Sequence, residues 1–376
     1  MPRLLIVEPN WFTLRHGLFG IARFLLSHGF EVAIASEDDT RARSAAKELG
    51  AQFYPIAISR HPSPQRDLSA ILSLSDIVRN FRPTVLQAST KKGGLLAGVV
   101  GRLHKVPTVY LLRGLIRDGA SPNWIFKFVE RINAMLATKV LVISQSNLSH
   151  FLDNRICSPE KLIMFGSGSL EGVDTERFAR TERSEAAGST LRRKLGIPPE
   201  AFVVGFVGRL VLEKGIRELT SAWASVSSCD GRPHFLIVSP PEIGPGAEQY
   251  VDRLRSASNV HFTGFLQDPT PAYASMNCLV LPSYSEGFPS VLLEAACFEL
   301  PVIATRVSGC VDAVAENQTG WLIEPRDERA LANCIMRVLK ETHTVNEMGR
   351  NARLRAVAEF SQESLWSQYA HLYASL

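Results

Sequence analysis

The chain has 376 residues, 45% of them hydrophobic and 21% charged. That is more than one compact core holds, and the balance excludes disorder, collagen and coiled coil as the main architecture. The net charge of +4 is unevenly spread: residues 1–195 carry 27 Lys and Arg against 17 Asp and Glu, residues 196–376 carry 14 against 20. A basic half followed by an acidic half suggests that the first half meets something anionic. The plainer reading is that surface charge drifts freely.

Alternating apolar runs and helical patterns begin at once. Arg3–Glu8 opens as a strand, His16–His28 is helical with Leu18, Phe19, Ala22, Leu25 and Leu26 on one face, and Glu31–Ala35 is the next strand. Arg41–Leu49 is expected as helix, Gln52–Ile58 as strand, Leu68–Arg79 as helix and Thr84–Gln87 as strand. Gly94–Arg102 (helix), Thr108–Leu112 (strand), Ile125–Ala137 (helix) and Val140–Ile143 (strand) follow. Apolar strands separated by helices argue for a parallel sheet buried on both faces.

From about Ser167 to Pro199 the pattern changes to glycines, mixed charge and two closing prolines, the marks of an interdomain connection. The alternation restarts with Phe202–Val207, the helix Ile216–Val226, and the strands Phe235–Val238, Val260–Phe262, Cys278–Leu281, Val302–Ala304 and Gly320–Ile323. The expected organisation is a first Rossmann-like domain over 1–170, a connection over 171–199, a second over 200–355, and a C-terminal helix over 356–376 packed back on the first.

No apolar run reaches the roughly 18 residues that cross a bilayer. The best stretch, Gly93–Ile116, is broken by Arg102, His104, Lys105, Pro107 and Arg113. Leu4–Val7 is too short for a secretory leader, and Glu8 follows it. The six cysteines include no CxxC, so neither a disulfide framework nor a zinc site is expected, and a reducing cytoplasm is the default.

Two segments carry chemistry. In Gly205–Gly215 a strand ends at Gly208, and Arg209 and Lys214 sit in the turn before a helix, the sheet edge at which such folds bind ligands. A planar fork and a point charge suit a diphosphate without a metal; solvated loop cations are the alternative. In Glu286–Glu294, Gly287 permits close backbone approach. The N–H groups of Phe288, Ser290 and Val291, with none from Pro289, would face an anion at a helix N-terminus. A cap acid and an unrelated helix acid are the alternative for Glu286 and Glu294.

Together these segments resemble the retaining glycosyltransferases of family 4. Glu286 and Glu294 match that family's E-x7-E motif, and Arg209 and Lys214 its diphosphate cations. Gly168–Phe178 resembles its G-x-x-x-G-V-D-x-x-R-F signature, Gly264-Phe265 the loop at the nucleotide base, Arg306–Asp312 the turn after the donor helix, and Glu324–Asp327 a downstream strand end. Lys91–Gly94 and Leu112–Leu115 resemble the bacterial capsule, exopolysaccharide and O-antigen subgroup. Arg113 stands where many members have His, and His16-Gly17 where many have a Gly-Gly pair, so Gly17 is the residue that would approach donor phosphates.

The resemblance implies the α/β GT-B fold, two Rossmann-like doubly wound parallel-sheet domains facing a central cleft. It implies retaining transfer from a UDP- or GDP-sugar to a glycan or polyprenyl-diphosphate-linked acceptor, with Glu286 holding sugar hydroxyls and Glu294 the ribose. No Asp-x-Asp is present, so no metal, and no cofactor or nucleic-acid partner, is expected. A nucleotide-sugar epimerase on the same fold is the alternative. A dehydrogenase wants Gly-x-Gly-x-x-Gly after the first strand, where this chain has Glu8-Pro9-Asn10-Trp11. With no spanning segment and a basic first half, peripheral contact with the inner face of the plasma membrane is expected through Trp124, Phe126, Lys127 and Arg131. Ile125, Phe128, Val129 and Ile132 are read as core-facing.

Overall fold

The computed structural model describes residues 1–15, 17–58, 63–114, 123–227 and 233–376. They form two units, Met1–Glu171 with Gln362–Leu376, and Gly172–Ser361.

The first unit is a seven-stranded parallel sheet. Its strands are β1 (Arg3–Val7), β2 (Glu31–Ser36), β3 (Gln52–Pro55), β4 (Val85–Ala88), β5 (Thr108–Leu112), β6 (Lys139–Val142) and β7 (Leu162–Met164), in the order β3-β2-β1-β4-β5-β6-β7. Leu5 pairs with Ala33 on one side and Leu86 on the other. The order therefore reverses between β1 and β4, and their carboxyl ends diverge there into a crevice. Leu4, Leu5, Ile6 and Val7 are all buried, as helices on both faces require. The helix Gln362–Ser375 belongs to this unit: the Tyr369 hydroxyl donates to the Leu170 carbonyl at 3.0 Å, and the Tyr373 hydroxyl to the Gln87 side chain.

The second unit holds β8 (Val203–Val207), β9 (His234–Val238), β10 (Val260–Gly264), β11 (Cys278–Leu281), β12 (Val302–Thr305) and β13 (Gly320–Ile323). The sheet is parallel with the order β10-β9-β8-β11-β12-β13, so its reversal lies between β8 and β11. All four residues of β11 are buried.

The stretch expected as a connection holds a helix, Glu182–Leu195, which lies wholly in the second unit. A capping box from Thr181 and Ser184 starts it, and Gly196 at φ 69° ends it. It packs so closely on the helix Thr270–Ala274 that a Cβ on Gly188 would stand 2.9 Å from Ala274. Arg192 fixes it further by donating to the Ser275 carbonyl at 2.8 Å and the Pro199 carbonyl at 2.9 Å.

Candidate active site

The second unit gathers most of the expected residues at the carboxyl ends of its strands. After β8 the chain runs through Gly208 and Arg209 into a single turn, Leu212–Lys214, and then the helix Ile216–Val226. Gly215 joins them at φ 71°, pressed so closely on the next loop that a Cβ would lie 2.2 Å from the Pro282 carbonyl oxygen. The Tyr284 N–H donates to the Glu213 carbonyl at 2.8 Å, and the Tyr284 hydroxyl to Glu218 at 2.6 Å. The loop after β8 is thereby fastened to the loop after β11.

That fastening places Lys214 Nζ 2.5 Å from Glu286 Oε1, and Ser283 Oγ donates to the same oxygen at 2.6 Å. The Glu286 side chain is 10% exposed and the Lys214 side chain 22%, so the pair is largely screened from bulk water. Arg209, in the loop after β8, is exposed.

A third loop supports the second. Gly309, at φ 78°, is where a Cβ would fall 2.3 Å from the Gly287 carbonyl oxygen, so the Arg306–Asp312 turn packs directly on the backbone beside Glu286. Thr305 Oγ1 donates to the Ser283 carbonyl at 2.5 Å. Asp312 accepts the Gly309 N–H at 3.2 Å, and Asp327 caps the helix Glu328–Lys340.

Gly287 leads through half-buried Phe288 and buried Pro289 to the helix Ser290–Cys297, on which Ser290 is exposed and Val291 half-buried. The first N–H groups of that helix carry its positive end. Glu294 has its own partners. Its Oε2 accepts the Tyr273 hydroxyl at 2.6 Å, and Ser290 donates to it as well. Burial raises its pKa, while those hydrogen bonds and the charge of Arg177 pull it back. The spacing of eight thus puts both acids at one sheet edge but in separate hydrogen-bond sets. At the end of β10, Gly264 takes φ 73° and Phe265 is left 67% exposed.

In the first unit Gly17 and Arg113 come together. A Cβ on Gly17 would fall 2.2 Å from Arg113 Nη2, so the Arg113 guanidinium lies directly against this glycine. Two acids that sequence reasoning missed share its field. Glu8, fully buried, accepts the Ser89 N–H at 2.9 Å; burial raises its pKa and Arg113 lowers it. Glu171 accepts the Gly20 N–H and is pushed up to about 7 by burial, against the opposing charge of Arg113. Ser283 and Tyr273 were also missed. Ser283 had a local signal, lying three residues before an acid ahead of a helix; Tyr273 had none. His16 and Leu115 lie outside the described residues, as does the side chain of Phe126.

The helix Asn123–Leu136 departs from its expected orientation: Phe128, read as core, is 58% exposed beside Trp124 at 68%. The buried face instead runs through Glu130, Asn133 and Ala134. Lys127 Nζ donates to Asn154 Oδ1 at 2.6 Å, and Arg131 to the Asn154 carbonyl at 3.1 Å. Among the described residues no helix is long and apolar enough to cross a membrane.

Residues 189–355 match the family described as glycosyl transferases group 1, and residues 17–168 match the glycosyl transferase 4-like domain. The capsular polysaccharide biosynthesis glycosyltransferase CapM of Staphylococcus aureus is 26% identical over 363 residues, 94% of this chain and 92% of that one. The UDP-Gal:alpha-D-GlcNAc-diphosphoundecaprenol alpha-1,3-galactosyltransferase of Escherichia coli is 26% identical over 82% of this chain and 80% of its own. The crystal structure of Anabaena HepE in complex with UDP superposes with a TM-score of 0.83 at 20% identity, covering all of both chains. With two doubly wound parallel sheets and matches to both family domains in order, the chain belongs to the GT-B glycosyltransferases of group 1, family 4.

Proposed function

We propose that the protein transfers a sugar, with retention at the anomeric carbon, from a UDP- or GDP-linked donor to a glycan or polyprenyl-diphosphate-linked acceptor in bacterial surface polysaccharide synthesis, at the cytoplasmic side of the membrane. The observation that carries this reading is the Lys214–Glu286 pair, four residues ahead of the N-terminus of Ser290–Cys297. It lies where a doubly wound sheet takes its ligand. The named relatives support the donor and acceptor classes: one is in complex with UDP, and another is named for a UDP-sugar and a diphosphoundecaprenol acceptor.

Transfer breaks the bond between the anomeric carbon and the diphosphate and forms one to the acceptor hydroxyl oxygen on the same face, the leaving diphosphate oxygen taking the hydroxyl proton. Negative charge grows on the diphosphate as the bond breaks. Arg209, Lys214 and the amides of Ser290 and Val291 stabilise it, and fixed charges aimed at a developing charge lower the barrier. These protein cations make the reaction metal-independent. Glu286 accepts hydrogen bonds from sugar hydroxyls, Glu294 holds the ribose, and Phe265 packs on the base above the Gly264 backbone.

A panel of UDP- and GDP-sugars scored by thermal shift, followed by lipid-linked acceptors with the product's anomeric configuration read by NMR, tests this. An inverted product removes the retaining assignment. Equilibration of the donor sugar with no acceptor present points to an epimerase instead.

A further inference from the structure

The amino ends of the second sheet carry an arginine-lined cavity. Asn277, the residue before β11, accepts the Val203 N–H at 2.8 Å through its side chain, which ties the start of β11 to the start of β8. Beside them lies a cavity of about 510 Å³ whose walls include Arg180, Ser189, Arg192, Arg193, Pro199 and Ala274. β8 and β11 are parallel, and Lys214 and Glu286 follow their carboxyl ends. The five residues of β8 span about 16 Å, so the cavity and the Lys214–Glu286 pair occupy opposite edges of one sheet.

The charge of this cavity is not balanced. Arg192 is half-buried and every partner it has is uncharged: the carbonyls of Ser275, Pro199 and Ala201 and the Asn277 side chain, at 2.8–3.0 Å. Burial lowers its pKa, and the charge of Arg180 lowers it further, so the two guanidiniums repel each other. Arg193 is exposed and donates to the Thr190 hydroxyl at 3.3 Å. The one acid among the described lining residues, Glu185, stands 3.5 Å from Arg180. Three cations against one carboxylate leave two positive charges, and an anion set among like charges lowers their energy.

We infer that this cavity binds the phosphate monoester of a small hydroxylated metabolite. Such an ester carries about −2 at pH 7, which matches the two unbalanced charges. Guanidinium forks suit its oxygens. The N–H groups of Arg192 are all taken, so it supplies field, while Arg180 and Arg193 supply contacts. The volume falls in the range of about 300–1,000 Å³ that small organic ligands occupy, more than a phosphate ion fills. Exposed Pro199 and half-buried Ala274 offer apolar surface to the carbon skeleton, and exposed Ser189 offers a hydroxyl. The site stands apart from sugar transfer, so its test needs neither donor nor acceptor.

That test is isothermal titration calorimetry of the full chain in phosphate-free buffer, with glucose 6-phosphate and inorganic phosphate as separate probes. Glucose 6-phosphate should bind the wild type and Lys214→Ala equally, one molecule per chain. The double variant Arg180→Gln, Arg193→Gln should bind it about tenfold more weakly. Inorganic phosphate should bind the wild type about tenfold more weakly than the ester does. Both arginines are exposed, so the melting temperature of the double variant should match the wild type, which separates loss of the cavity from loss of the fold. Absence of ester binding, wild-type affinity in the double variant, or loss of binding in Lys214→Ala would overturn the inference. So would equal affinity for the ester and for inorganic phosphate, which would leave only an ion site.

Discussion

Lys214 and Glu286, 72 residues apart in sequence, share one ion pair at 2.5 Å in which the cation assigned to the donor diphosphate is held by the acid assigned to the donor sugar. A diphosphate at this edge therefore competes with Glu286 for one ammonium. Glu286→Gln keeps the shape and relieves that competition. Calorimetry should show the nucleoside diphosphate binding more tightly, by about 1 kcal/mol. Initial rates should fall by roughly 2–4 kcal/mol in barrier. Weaker diphosphate binding in the Gln variant would contradict the competition.

Removing the cations should act on phosphate and not on base. Lys214→Ala and Arg209→Ala are each expected to lower affinity for the nucleoside diphosphate by about 1–3 kcal/mol, the worth of a hydrogen bond to a charged group. Binding of the nucleoside alone should stay as it was. Equal affinity of Lys214→Ala and wild type for the diphosphate would return Lys214 to the status of a surface charge.

Phe265, 67% exposed, contributes little to the core, so Phe265→Ala should leave the melting temperature unchanged. If the ring stacks on the base, nucleoside affinity drops by about 1–3 kcal/mol. A titration with UDP and GDP on both proteins separates the outcomes: unchanged affinity for both nucleotides excludes stacking.

The carboxyl of Glu171 supplies a pH dependence. Burial pushes its folded pKa up to about 7 from an ordinary 4.5, so the folded protein keeps a proton that the unfolded chain releases. The resulting stability is complete below pH 4.5 and is lost as the pH rises through 7. Glu171→Gln should melt like the wild type near pH 5 and above it near pH 8. A wild-type midpoint that does not fall relative to the Gln variant across that interval would show that Glu171 is ionised throughout.

Where a single local pattern decides the structure, the sequence was readable. Cys278–Leu281 and Gly320–Ile323 are short apolar runs and became strands with those bounds, and Ile216–Val226 kept its helical period. Glu182–Leu195 escaped notice because its polar residues and the internal Gly188 look like a linker; only the tight seat on Ala274 shows why a glycine belongs there. Phe128 was assigned inward because an amphipathic pattern with apolar residues on two faces does not say which face is covered. The buried face is instead marked by Glu130, whose carboxylate accepts the Tyr110 hydroxyl at 3.0 Å. At the candidate site, the motif segments pointed to Lys214 and Glu286, which the structure brings into contact. Ser283 meets Glu286 within one loop, whereas the contact of Tyr273 with Glu294 depends on which helices meet, and Glu8 is defined by an amide from Ser89, 81 residues away.

The two glycine crossings, Gly215 on Pro282 and Gly309 on Gly287, leave no room for any side chain between the three loops they join. Those loops are therefore one inherited part and not three exchangeable ones. A chimaera that imports only the segment around Glu286 from a relative with a different donor would meet two foreign backbones at van der Waals contact. It should misplace the acid even if every motif residue is retained. Recombination of donor preference among such enzymes should succeed when residues 208–215, 282–290 and 305–312 move as a set, or when the change is confined to Phe265, whose ring is 67% exposed.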